Sequence, residues 1–213
     1  MILVAGGGKG GSGKSTIATN LAIMRSAQHD VLLVDADDQE TAADFTVLRN
    51  STHTGGAGYT CVKLTGPAVR TEIERLKAKY EDIIVDAGGR DTVSQRAALV
   101  VADMLLVPFV PRSFDIWTLD TVTGLIQEIR TVNPTLRAVA FINRGDVSGG
   151  YNTEAGEMIR DKAELVYLDT PIVNRKAFGR AAEQGKAVTE IRPVDPKAVH
   201  EITALYRAIF EED

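Results

Sequence analysis

The chain has 213 residues, 44% apolar and 25% charged, which is enough to bury a continuous core and too apolar for disorder. Its 24 basic and 29 acidic side chains leave a formal charge of -5, which excludes wholesale attraction to nucleic acid but leaves room for a local basic patch. The single cysteine, Cys61, cannot form an internal disulfide, three scattered histidines make no metal cluster, and no apolar run approaches the roughly 20 residues of a bilayer-spanning helix. No basic start precedes an apolar signal core, so a cytoplasmic protein is expected.

In chain order, Ile2-Leu3-Val4-Ala5 predicts a strand, the glycines after it a loop, and residues 15–27 a helix. Val31-Leu32-Leu33-Val34 and Ile83-Ile84-Val85 predict buried parallel strands, each ending in acidic residues. Further strands are expected at 104–110, 139–143 and 165–168, with helices near 67–80, 93–101, 114–131, 152–164 and 197–210. Ser51 to Thr60, polar and glycine-rich, predicts a mobile surface loop. Alternating strand and helix implies an α/β fold, a mostly parallel central sheet flanked by helices, in one domain over residues 1–213. Cys61 is expected as a small buried side chain and Trp117 as packing on a helical stripe.

Residues Gly8 to Ser15, GKGGSGKS, satisfy G-x-x-x-x-G-K-[ST] between a strand and a helix, the context this motif requires. Glycines let successive backbone N–H groups point inward, and the helix start adds its positive dipole end, so the loop is an anion socket. Lys14 would reach the β- and γ-phosphates and the Ser15 hydroxyl would ligate Mg²⁺. The run from Lys9 to Ser15 matches KGGxGK[ST], and with it the chain resembles the ParA/MinD family of deviant Walker A P-loop NTPases. The resemblance implies ATP and Mg²⁺ as ligands, held by Gly8, Lys9, Gly10, Gly11, Ser12, Gly13, Lys14, Ser15 and Thr16, with Lys9 crossing to a partner subunit's nucleotide.

Asp35-Ala36-Asp37-Asp38-Gln39 looks like the family's switch I segment, which implies that Asp37 orients the attacking water, with Asp35 and Asp38 as second choices. Asp38 is also a candidate cap for a helix starting near Thr41. Asp86, ending an apolar strand in Walker B form, is expected to hold Mg²⁺ with Ser15 and Asp37. Residues 87–91 look like switch II, where Gly88 and Gly89 give freedom to respond to the γ-phosphate and Arg90 pairs with Asp91 or reaches a second subunit. The family uses an asparagine near the position of Asn143 to bind adenine, which implies a base contact from Asn143 and Arg144.

Between Pro171 and His200, six basic residues (Arg175, Lys176, Arg180, Lys186, Arg192, Lys197) face three acidic ones (Glu183, Glu190, Asp195), a local net charge of +3. Arg175, Lys176, Arg180 and Arg192 are the expected contacts to non-specific DNA, an interaction that is sequence-independent and salt-sensitive. The resemblance is to small ParF-like partition ATPases. It implies an ATP-dependent homodimer that binds non-specific DNA on the nucleoid and is reset by hydrolysis stimulated by a centromere-binding ParB-like adaptor. Plasmid or chromosome segregation is the expected role, with carboxysome-type positioning of a protein cargo as an alternative. A MinD-like membrane role would need a basic amphipathic end, whereas this chain finishes Glu211-Glu212-Asp213, so no membrane partner is expected. A ligase of the dethiobiotin synthetase kind is disfavoured by Lys9, and iron-protein activity by the lack of cysteine ligands.

Overall fold

Fully buried four- to six-residue apolar runs form the middle of the molecule, as expected for strands covered on both faces. The structure, a computed structural model, describes residues 1–89, 91–111, 116–147 and 150–211, with the side chains of Ile116 and Trp117 also outside the described set. The elements are β1 (Ile2–Ala5), α1 (Lys14–Arg25), β2 (Val31–Ala36), α2 (Thr41–Thr52), β3 (Thr60–Lys63), α3 (Ala68–Leu76), β4 (Asp82–Ala87), α4 (Val93–Val101), β5 (Met104–Phe109), α5 (Ile116–Arg130), β6 (Arg137–Gly145), α6 (Gly150–Arg160), β7 (Val166–Tyr167), β8 (Ile172–Val173), α7 (Lys176–Ala182) and α8 (Pro196–Phe210). The strands run β3-β2-β4-β1-β5-β6-β7, with β8 also on β6, and every pairing is parallel. This is the central parallel sheet between helices that the alternation predicted.

Side-chain alternation along the strands sends one set of residues to each face. Leu3, Leu33, Ile84, Leu106 and Phe141 pack under α1, α7 and α8, while Val4, Val34, Val85, Leu105 and Ile142 pack under α3, α4, α5 and α6. Helix α8 shows how the sequence sets one such contact. Asp195 caps it by accepting from the N–H groups of Lys197 and Ala198, both at 3.1 Å, Pro196 opens the first turn, and Ala198, Ile202, Leu205 and Ile209 form its buried stripe.

Two expectations are corrected. Residues 51–59 are pinned rather than mobile: Thr52 closes α2, and buried Ala57 donates to Asn50 Oδ1 at 2.8 Å while its carbonyl accepts from Arg49 Nε at 2.9 Å. Arg49 is itself buried and forks onto Glu190 at 2.8 and 2.9 Å, so α2 is tied to the chain near Gly185. Cys61 is half-buried on the edge strand β3 instead of enclosed. The proposed packing of Trp117 and the role of Arg90 lie outside the described residues. No helix among the described residues is long and apolar enough to cross a membrane.

Candidate functional site

In an open parallel sheet the carboxyl ends of the strands are where ligands sit, because loops and helix N-termini converge there. Here β1 is central, between β4 and β5, and the register sets Ala5 beside Asp86 and Asp86 beside Asp35. The segments after β1, β2 and β4 therefore meet over one cleft of about 700 Å³. It is lined by Gly10, Gly11, Gly13, Lys14, Ser15, Thr16, Asp37, Asp38, Gln39, Gly88, Gly89, Thr92 and Arg144 among others. A second cleft of about 520 Å³ opens on the other side of Gly13 and Thr16, between Asn143, Arg144, Ile172 to Lys176 and Phe178.

The loop from Gly7 to Gly13 has the backbone that its glycines allow. Gly7, Gly8, Gly11 and Gly13 all have φ between 67° and 90°. Helix α1 starts at Lys14, so its unsatisfied N–H groups face the cleft. The Lys14 side chain is buried and folds back over the loop, its Nζ 3.2 Å from the Lys9 carbonyl and 3.5 Å from Ser12 Oγ. Burial lowers its pKa, while the carboxylates of Asp86 and Asp37 work in the other direction. The side chain of Lys9 stays exposed on the rim.

Asp86 is fully buried, and neither of its carboxylate oxygens has a hydrogen-bond partner in acceptable geometry among the described residues. Burial, with repulsion from Asp35 and Asp37, pushes this group up to about 7 against the opposing influence of the Ser15 hydroxyl and Lys14. An orphaned buried carboxylate beside a serine hydroxyl is a donor set that a hard divalent cation satisfies. Ser15 and Asp86 therefore fit Mg²⁺, and Asp37 borders the same cleft.

The three carboxylates at the end of β2 and after it separate by environment. Asp35 is buried and structural: Oδ1 accepts from Asp37 N at 3.1 Å and Oδ2 from Ala43 N at 2.8 Å, so it, and not Asp38, satisfies the first turn of α2. Burial raises its pKa in spite of those bonds. Asp38 is exposed, whereas Asp37 is half-buried and faces Gly88 closely, a Cβ on that glycine lying 3.2 Å from Asp37 Oδ1. Gly89 presses on the phosphate loop itself, since a Cβ there would stand 2.5 Å from Gly10 N. Asp91 accepts from Arg96 at 2.6 and 2.7 Å.

A family signature described as "CobQ/CobB/MinD/ParA nucleotide binding domain" matches residues 2–188. The chain belongs to this family. Over 209 residues this CobQ/CobB/MinD/ParA-type chain is 30% identical to a Gloeobacter kilaueensis protein named "Maintenance of carboxysome distribution protein A", a match covering 96% of the chain and 90% of the relative. Two solved structures share the fold. One is a plasmid partition protein of Borrelia burgdorferi, with TM-score 0.71, 18% identity, and 99% and 97% of the two chains covered. The other is a Cyanothece McdA variant in complex with ATP, with TM-score 0.74, 16% identity, and 98% and 95% covered.

Within this ParA/MinD-type domain, the remaining candidates divide. Asn143 and Arg144 do reach the loop: Asn143 Nδ2 donates to the Ser12 carbonyl at 2.6 Å and Arg144 Nη1 to the Gly11 carbonyl at 2.8 Å. The four basic residues expected on DNA are not equivalent. Arg175 is forked onto Glu201 at 2.6 to 3.1 Å, so its charge is already compensated, and Lys176 lines the smaller cleft. Arg180 and Arg192 are exposed and adjoin each other, Arg180 Nη2 donating to the Pro193 carbonyl at 3.1 Å.

Sequence reading missed Gln95. It is buried on α4, and its Oε1 accepts from Gly7 N at 2.9 Å, fixing the start of the loop. Its signal was present: a polar residue on the buried stripe that includes Ala98 and Leu99 needs a partner. Thr92 was missed as well; it lines the large cleft and caps α4 by accepting from Gln95 N at 3.1 Å.

Proposed function

We propose that this ParA/MinD-type domain is a Mg²⁺-dependent ATPase that switches between ATP-bound dimer and ADP-bound states to position a cargo on DNA. The observation that carries the reading is one cleft lined by buried Lys14, Ser15 and half-buried Asp37 under a glycine loop, with the orphaned carboxylate of Asp86 buried beside Ser15 and Lys14. Lys14 and the inward N–H groups of residues 10–16 would neutralise the β- and γ-phosphates, and the smaller cleft beside Phe178 would take the base. Ser15 and Asp86, with Asp37 nearby, would hold Mg²⁺, which would supply charge neutralisation on the phosphate oxygens. Asp37 accepts a hydrogen bond from the attacking water and lines it up with the γ-phosphorus, a positioning role suited to phosphoryl transfer. Lys9, on the rim, reaches a second copy's nucleotide, which makes dimerisation depend on the triphosphate.

The 30% match, over 96% of the chain and 90% of a protein named for carboxysome distribution, favours a protein body as cargo. Segregation of a plasmid or chromosome through a centromere-binding ParB-like adaptor uses the same ATP chemistry and is the second reading. The exposed pair Arg180 and Arg192, next to Lys176 on α7, supports the contact with non-specific DNA common to both. Phosphate release from Mg²⁺-ATP tests the chemistry: wild-type protein turns over, and Asp37→Ala binds ATP without turnover. Hydrolysis by Asp37→Ala at the wild-type rate would remove Asp37 from the mechanism. For the cargo, a deletion strain with misplaced protein bodies and normal plasmid retention supports the first reading, and the converse pattern supports the second.

A further inference from the structure

A loop that turns its N–H groups toward an anion must turn its carbonyls the other way, and a carbonyl left without a partner under protein is costly. In this chain the carbonyls of two successive loop residues meet donors from a single place. The Ser12 carbonyl accepts from Asn143 Nδ2 at 2.6 Å and the Gly11 carbonyl from Arg144 Nη1 at 2.8 Å. We propose that Asn143 and Arg144, at the end of β6, are positioning residues that latch the phosphate loop in its anion-binding form by taking up the outward carbonyls of Ser12 and Gly11.

Three further features point the same way. Arg144 has φ 54°, a left-handed backbone uncommon outside glycine, of the kind that persists where surrounding contacts enforce it. The β6–β8 register shifts between Asn143 and Gly145, an irregularity that re-aims the side chains at the strand end toward the loop. Gly13 leaves room for the latch, because a Cβ there would lie 2.5 Å from Asn143 Nδ2. A carbonyl can only accept, so the amide nitrogen of Asn143 must be the atom facing Ser12. With Asn143 3% exposed and that nitrogen engaged by the loop, its hold on the loop acts on the phosphates whether or not the smaller cleft, which Asn143 also lines, contains a base.

This deepens the nucleotide reading and rests on it, so the test uses one ligand with a base and one without: Mg²⁺-ATP and Mg²⁺-tripolyphosphate, titrated calorimetrically. Asn143→Ala is expected to weaken both by a similar factor, about tenfold, the loss that follows from an unsatisfied buried carbonyl. Asn143→Asp, which cannot donate, weakens both further. Arg144→Gly suits the left-handed backbone while removing the guanidinium, so it should lose affinity for both ligands several-fold with no fall in melting temperature. It also keeps the test open if the Asn143 variants fail to fold. Tripolyphosphate binding unchanged in Asn143→Ala while ATP binding falls would overturn the latch and return Asn143 to the base. Unchanged binding of both ligands by Arg144→Gly would overturn it for Arg144, and wild-type protein that takes ATP but not tripolyphosphate would overturn it altogether. Wild-type protein that binds neither ligand removes the nucleotide reading, and the latch with it.

Discussion

Asp86 carries a burial penalty that a bound cation would relieve at neutral pH. Its folded pKa of about 7 lies above the ordinary 3.8, so between those values the folded protein binds more protons than the unfolded chain. Stability from this group therefore falls as pH rises through that window, and the full penalty stands above about pH 7. At about 1.4 kcal/mol per pKa unit the penalty is several kcal/mol. In magnesium-free buffer at pH 8, Asp86→Asn is expected to melt several degrees above wild type, with the gap closing toward pH 4. A gap that is flat across pH in thermal melts would contradict the assignment. Lys14→Ala should weaken ATP at least about tenfold through loss of a charge-assisted contact, as read by calorimetry. The glycine loop was legible because its letters and its place between strand and helix coincide. The division of labour among Asp35, Asp37 and Asp38 was not, since three carboxylates in four residues differ only in which one the start of α2 buries.

Among the elements, the segment after β4 approaches the phosphate loop backbone to backbone at Gly89. A Cβ on Gly89 would lie 2.5 Å from Gly10 N and 2.6 Å from Gly10 Cα, and no flexible side chain is there to yield. Gly89→Ala must push the segment after β4 off the loop, so hydrolysis is expected to fall more steeply than ATP affinity. Phosphate release and calorimetry on the same sample separate the two, and an equal loss in both would place the fault in binding. Periodicity made α4 and α8 readable to within a residue or so of their bounds. The strands β3 and β8 were not: two to four residues long, without fully buried runs, they exist because a neighbouring strand offers an edge. Arg49 likewise reads as a surface charge on a polar helix until the chain near Glu190 folds over it.

At the scale of the whole molecule, the strand order could not be read, because nothing local places β4 between β2 and β1. That order joins Asp86 to the phosphate loop and Asp35 to Asp86. The basic count between Pro171 and His200 likewise said nothing about direction; folding compensates Arg175 and leaves Arg180 and Arg192 outward. Replacing both arginines with alanine should lower ATP-dependent retention on DNA and reduce the slope of log affinity against log salt by about two per protomer if each meets one phosphate. The most direct measurement is calorimetric titration of wild-type protein and Lys14→Ala with a non-hydrolysable ATP analogue and Mg²⁺, with dimer mass followed by light scattering. Tight binding with dimerisation in the wild type, and loss of both in Lys14→Ala, is the expected result; equal affinity in the two proteins would contradict a phosphate site in this cleft.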